Sequence, residues 1–421
     1  MDERTQSALS DAFRSEWAHV LAATIRVTHD IDLAEDSVQQ AFTEALAAWS
    51  RDGVPRNPGA WLTTTAKRRA IDALRRNVTQ RRKIPLLIEP ERPFDEDANP
   101  ATRASGVEMN VATDDTMRLI LLCCHPSLSN EAQVALTLRL VCGMTTDDIA
   151  RCFLVEKATM AARLTRAKKK IVVARIPFCL PRGPEVTKRL EAVMGVVYLL
   201  FTIGHTSPTG DTLFRRDVCA EALRLARLLH GLWPEVREIS GLLALLLVND
   251  ARRDSRVSPV GRAQSMADQD RAKWNTAMID EARQLMRANH EAGPRGRYTL
   301  QAAIALQHVE APTYDEVDWH EIVQLYDELV QLWSTPVVQL NRAVALSKTS
   351  GPLDALAIVE GLETDARLER YHYLPAVKAY LLDQLGRSDE AQRARHRAFE
   401  LSSNEVERDF LGAQLRGASP H

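Results

Sequence analysis

Apolar residues along this chain recur mostly at three-to-four spacing and seldom in alternation, which predicts helices nearly throughout and an all-α fold. Three breaks interrupt the pattern. Two prolines fall within Val54–Pro58, the stretch Pro85–Ser105 is rich in proline and acid with no apolar period, and Ile176–Pro184 holds three prolines. The last two predict a flexible acidic linker and an extended strap between domains. Near the C-terminal end, the segment from Asn341 aligns weakly with the segment from Val377: Ala343 matches Ala379 and Ala355 matches Ala391, an offset of 36 residues. Tetratricopeptide repeats have a period of roughly 34, and small alanines let their paired helices approach closely.

Met144–Lys170 carries the clearest pattern. Ile149, Ala150 and Phe153 share one helical face, Leu154 and Val155 fill a short turn, and Met160 and Leu164 restart the period. Thr145 with Asp148 three residues on reads as a capping box that starts the first helix. A helix-turn-helix follows. Lys157, Thr159, Arg163 and Arg166 can face outward from its second helix, side chains suited to base edges and phosphates, and Lys168, Lys169 and Lys170 extend the charge.

Charge changes the picture because it is segregated. The formal net charge is only −2, yet Trp61–Lys83 has eight Lys or Arg against the single acid Asp72. Glu89–Asp97 then has five acids against Arg92. A nucleic-acid surface must therefore come from local basic helices, not from bulk basicity. The six cysteines show no paired spacing, and Cys123-Cys124-His125 lacks the separation that brings two thiolates to one zinc ion. Reduced thiols packed in a core are expected, with no metal and no cofactor. The longest apolar run, Leu242–Val248, is far too short for a membrane span, so a cytoplasmic protein is expected.

The phrases DLAEDSVQQAFTEALAAW and PGAWLTTTAKRRAIDALRR resemble region 2 of a bacterial RNA polymerase sigma factor. With the helix-turn-helix after an acidic linker, residues 10–175 resemble the two-domain sigma factors of the extracytoplasmic-function (ECF) class. Phrases such as GLLALLLVNDARRDSRV, ADQDRAKWN and TPVVQLNRAVAL resemble the tetratricopeptide-like C-terminal extension of one ECF subgroup. One departure is Thr202-Ile203-Gly204, where that subgroup usually has Asn-Glu-Gly.

The resemblance implies a division into a region 2 domain (1–84), an acidic linker (85–110), a region 4 helix-turn-helix domain (111–175), a proline strap (176–184), a helical extension domain (185–295) and a tetratricopeptide-like domain (296–416). It implies core RNA polymerase as partner, through the β′ clamp and the β flap, together with promoter DNA. Glu35, Asp36, Gln39 and Phe42, which form a mixed acidic and apolar stripe, become the expected polymerase contact. Trp61, Lys67, Arg68, Arg69, Arg75 and Arg76 are the expected minus-10 contacts, and Lys157, Thr159, Arg163, Arg166, Lys168, Lys169 and Lys170 the minus-35 contacts. The extension is expected to regulate, through a protein partner or an intramolecular contact. No phosphate loop, zinc spacing or Ser-His-Asp frame points to an enzyme. His205 and Asp268–Arg271 could line a pocket, but read better as a buried hydrogen-bonded network that holds helices together than as a catalytic set. The rival reading is an operator-binding regulator that works without polymerase and senses a ligand or protein with its helical half.

Overall fold

Three long helices open the chain: α1 (Glu3–Thr28), α2 (Ile31–Asp52) and α3 (Pro58–Lys83). The computed structural model describes residues 3–83, 111–153, 155–180, 184–206, 214–258, 261–288 and 295–415. Local chemistry sets the bounds of α2. The Asp30 carboxylate accepts from the Leu33 N–H at 3.0 Å, and Gly53 stops the helix at φ 84°, a value that favours a residue without Cβ. Leu62, Ala66 and Ala70 put a stripe of fully buried small or apolar groups on α3, so the bundle closes with short interaxial distances.

A second group follows: α4 (Val111–Cys123), α5 (Asn130–Leu136), a five-residue π-helical turn Thr137–Val141, α6 (Thr146–Cys152) and α7 (Lys157–Val173). Thr145 caps α6 as its sequence predicts, accepting from the Asp148 N–H at 3.1 Å. Ile149 and Ala150 of α6 and Met160, Leu164, Ala167 and Ile171 of α7 are buried. Cys123 and Cys124 are free and fully buried. Burial, which disfavours a thiolate, pushes the Cys124 thiol up to about 12, so packing is its role.

The chain forms two compact units, 1–196 and 197–421. The division falls inside α8 (Pro184–His205). The first half of α8 goes with the N-terminal unit: the buried Arg189 guanidinium donates to the Leu121 carbonyl at 3.1 Å. The expected acidic linker, with Glu89, Glu91, Asp95, Glu96 and Asp97, lies outside the described residues, as do residues 181–183 of the proline strap.

The second unit continues with α9 (Arg216–Leu232), α10 (Arg237–Ala251), α11 (Thr276–Ala288), α12 (Arg297–Glu310), α13 (Trp319–Leu332), α14 (Pro336–Thr349), α15 (Pro352–Leu362), α16 (Tyr373–Gln384), α17 (Ser388–Leu401) and α18 (Glu405–Leu415). Leu242–Val248, the longest apolar run, lies in α10 and is buried throughout. A helix apolar on all sides needs neighbours on all sides. From α14 to α17 the helices form hairpins, and the four alanines of the repeat, Ala343, Ala355, Ala379 and Ala391, are all at most 2% exposed. Three of them share one core with Leu356, Val359 and Leu381. Among the described residues there is no β-strand, and no helix is long and apolar enough to cross a membrane.

Candidate nucleic-acid interface

Helix α7 has two unlike faces. Met160, Leu164, Ala167 and Ile171 turn inward at helical spacing, which leaves Lys157, Thr159, Arg166, Lys169 and Lys170 exposed and Arg163 half-buried at the edge. A row of cations and a hydroxyl on a short helix after a tight turn is the arrangement that a DNA major groove accepts. The α6 face beside it is partly neutralised, since Arg151 bonds Asp147 at 3.0 Å.

Helix α3 offers the second basic surface. Arg68, Arg75 and Arg76 are exposed, while Lys67 and Arg69 are half-buried. Arg69 forms an ion pair with Glu44 of α2. Trp61 packs edge-on against the buried Trp49, with ring centroids 5.8 Å apart at 68°. It still keeps part of its surface open.

The acidic stripe of α2 is split by the fold. Asp36 and Gln39 are exposed, but Glu35 is 4% exposed and Phe42 is 8% exposed. Phe42 lies against Phe13 and Trp17 of α1, at centroid distances of 5.2 Å and 6.0 Å. Glu35 holds two cations of the helix-turn-helix domain. Arg139 comes from the π-helical turn with Nε 2.9 Å from Oε1, an ion pair without an aligned hydrogen bond. Lys168 comes from α7 and bonds both Glu35 and, at 2.7 Å, Asp32. Burial works against the Lys168 charge, yet its hydrogen bonds to Asp32 and Glu35 outweigh that cost and leave its pKa raised.

Other contacts close the same seam. The Trp17 indole N–H donates to the Leu140 carbonyl at 3.1 Å, and Arg26 lies 3.4 Å from the buried Asp115. Gly143, at φ 68°, faces the Phe13 ring so closely that a Cβ there would lie 2.9 Å from it. The sequence brings Lys168 into view as a DNA contact, whereas the fold commits it to Asp32 and Glu35. It gives no sign of Arg139 or Trp17, because partners more than 100 residues away leave no trace in local periodicity.

Comparison with known proteins agrees with this geometry. Family models match sigma-70 region 2 over residues 13–80, sigma-70 region 4 over residues 118–171, and a family of unknown function, DUF6596, over residues 189–290. An uncharacterised protein of Rhizobium meliloti (strain 1021) is 40% identical over 397 residues, which is 94% of this chain and 92% of that protein. The probable ECF RNA polymerase sigma factor SigI of Mycobacterium tuberculosis is 28% identical over 172 residues, 40% of this chain and 56% of that protein. No solved structure matches.

Proposed function

This chain belongs to the ECF sigma factors of RNA polymerase, in a form that carries an additional C-terminal helical domain, and from that premise we propose how its residues divide the work of initiation. The exposed cationic face of α7, set against a fully apolar inner face, is the observation that carries this reading. Arg163 and Arg166 read base edges at the minus-35 element, where a well-placed bidentate contact discriminates by about 1 to 3 kcal/mol. Lys157, Lys169 and Lys170 contribute affinity that is blind to sequence and falls with salt, and Thr159 adds a hydroxyl contact.

On α3, Lys67, Arg68, Arg75 and Arg76 track the displaced strand at the minus-10 element. Unstacking a base costs a few kcal/mol. Stacking or pocketing of that base, with Trp61 as the aromatic surface, offsets about 1 to 3 kcal/mol of it. Arg69 joins the track when it leaves Glu44.

Core polymerase takes Asp36 and Gln39 first, since they are exposed. Glu35 becomes available only when the two modules of the N-terminal unit part, a step that also releases Lys168 to DNA, whereas Phe42 is packed on Phe13 and Trp17 of its own module. The closed seam is therefore a resting arrangement, and binding of the clamp and flap to separate modules supplies the free energy that opens it. The C-terminal unit acts as the regulatory extension.

Run-off transcription with purified bacterial core polymerase on a promoter library tests the assignment. The wild type should start transcripts at defined sites. Arg163→Ala should lose dependence on the minus-35 sequence, and joint replacement of Arg68 and Arg69 should lose opening while retaining binding. A chain that fails to join core, or two variants with indistinguishable defects, would contradict these roles.

A further inference from the structure

The second unit encloses a cavity of about 750 Å³, within the range that takes small organic ligands. Tyr314, Val377, Tyr380 and Phe410 give it apolar walls. Arg252 and Arg256, from the segment just after α10, also line it.

These two arginines differ from most others in the molecule. Among the described residues, no carboxylate lies within ion-pair distance of Arg252, Arg256 or the nearby Arg271, whereas the adjacent Arg253 pairs with Asp250 at 2.8 Å. Arg252 is 9% exposed. Its Nη1 presses on the Met266 thioether, its Nη2 donates to the Asn249 side-chain carbonyl at 3.1 Å, and its buried Nε has no partner. Arg256 turns Nη1 to the His205 ring and carbonyl, at 2.8 Å and 2.9 Å, and its guanidinium lies 4.8 Å from the Phe214 ring centroid.

The electrostatic strain is mutual. Burial, then Arg256 and Arg271, lower the Arg252 pKa to about 9. Burial, then Arg256 and Arg252, hold the His205 pKa well below its usual range, so the imidazole stays neutral and accepts from Arg256. Buried cations without anions are costly, and proteins that keep them usually pair them with something.

The lining indicates what that partner is. It carries Arg252, Arg256 and Arg395 against Asp383 and Glu407. Arg395 bonds Asp383 at 3.2 Å, and Glu407 is held by Tyr373 and by His372, the latter at 3.2 Å. One positive charge is left over.

We propose that this cavity binds a small organic monoanion, a carboxylate on an apolar ring-sized body, with the acid group on Arg252 and Arg256 and the body between Tyr314, Tyr380 and Phe410. The bound acid completes the arginine cluster, so occupancy stabilises the second unit. The site is independent of the sigma-factor assignment and can be tested without polymerase.

Equilibrium dialysis of the full-length protein with cinnamate, cinnamamide and inorganic phosphate is the test. Cinnamate should bind saturably with one site per chain and raise the melting temperature. The uncharged amide and the bodiless phosphate should each bind roughly tenfold or more weakly, the loss expected for a charge-assisted hydrogen bond or for the apolar contacts. Arg256→Gln should weaken cinnamate by a similar factor. Ala376→Trp, which adds bulk to the cavity wall, should do the same in a protein whose circular dichroism shows it folded. Equal binding of cinnamate and cinnamamide would overturn the proposal. So would cinnamate binding that survives Ala376→Trp, or binding of an acidic peptide in the absence of any cinnamate binding.

Discussion

Two buried charge clusters in this molecule are built on opposite terms. In the N-terminal unit one carboxylate, Glu35, receives both Arg139 and Lys168. In the C-terminal unit Arg252, Arg256 and Arg271 gather with no carboxylate of a described residue at ion-pair distance. A cluster satisfied by the chain's own residues holds its elements together, and it opens when a partner competes for those residues. A cluster left unsatisfied favours whatever anion arrives from outside. The first is a latch and the second a receptor, and the difference is the placement of a single carboxylate.

Removing the carboxylate from the satisfied cluster should have the largest effect. Glu35→Gln leaves Arg139 and Lys168, both less than one-fifth exposed, facing a neutral amide. Loss of one member of a buried pair costs about 3 kcal/mol or more. Urea unfolding of the N-terminal unit, followed by Trp17 fluorescence, should show a midpoint shift of that size. A shift within error would mean that the seam is held without Glu35, by Trp17 on Leu140, Phe13 on Gly143 and Arg26 on Asp115.

The unsatisfied cluster should reveal itself through pH. Burial, then Arg252 and Arg271, lower the His308 pKa from 6.5 to about 4, and His205 is depressed as well. A depressed histidine binds its proton more readily in the unfolded chain. The stability it contributes is therefore intact above pH 6.5 and is lost as pH falls toward 4. For His308 the loss is on the order of 2 to 3 kcal/mol. Calorimetry of the second unit's transition should show it, and His308→Gln should flatten the slope. A flat profile in the wild type would place the ring in contact with water.

Gly143→Ala probes the seam by shape instead of charge. Both the positive φ and the approach of Phe13 oppose a Cβ, and the expected cost is about 1 to 2 kcal/mol. If the same change in Glu35→Gln costs clearly less, the two share one interface.

The smallest effect concerns DNA. Replacing Lys169 and Lys170 together should reduce the salt slope of promoter binding by about 2 and weaken all sequences alike. Equivalent treatment of Lys168 should do little until the seam is open. An identical salt effect from Lys168 would mean that its bonds to Asp32 and Glu35 are not populated.

The sequence made the helices legible, and with them the faces of α6 and α7. Thr145 and Asp148 announce a cap, Met160 and Leu164 announce an inner face, and the paired alanines of the last hairpins announce close helix contact. All are local signals, carried within four residues or by a repeat. Which distant residue a charge meets is not local. Glu35 reads as one more acid on a mixed acidic and apolar stripe until Arg139 and Lys168 are brought to it, and nothing local marks Arg252 as a buried cation. Of the network expected at His205 and Asp268–Arg271, His205 is in one, its Nδ1 accepting from Arg256 and its Nε2 facing the Asn249 carbonyl, whereas Asp268 and Asp270 are exposed and Arg271 instead bonds the His308 and Ala311 carbonyls. His205 lines a cavity, as the sequence allowed, and the fold adds that Arg252 and Arg256 line a neighbouring one.

The claim on which the functional account turns is that the two promoter-binding modules rest closed on Glu35 and part during initiation. Pulsed electron resonance between spin labels on Ser50→Cys and Val173→Cys, both exposed positions, with the exposed Cys179 replaced by Ser, measures it directly. The account predicts one narrow distance distribution for the protein alone and a clearly shifted one after addition of core polymerase and promoter DNA. An unchanged distribution in a complex that is producing transcripts would contradict it.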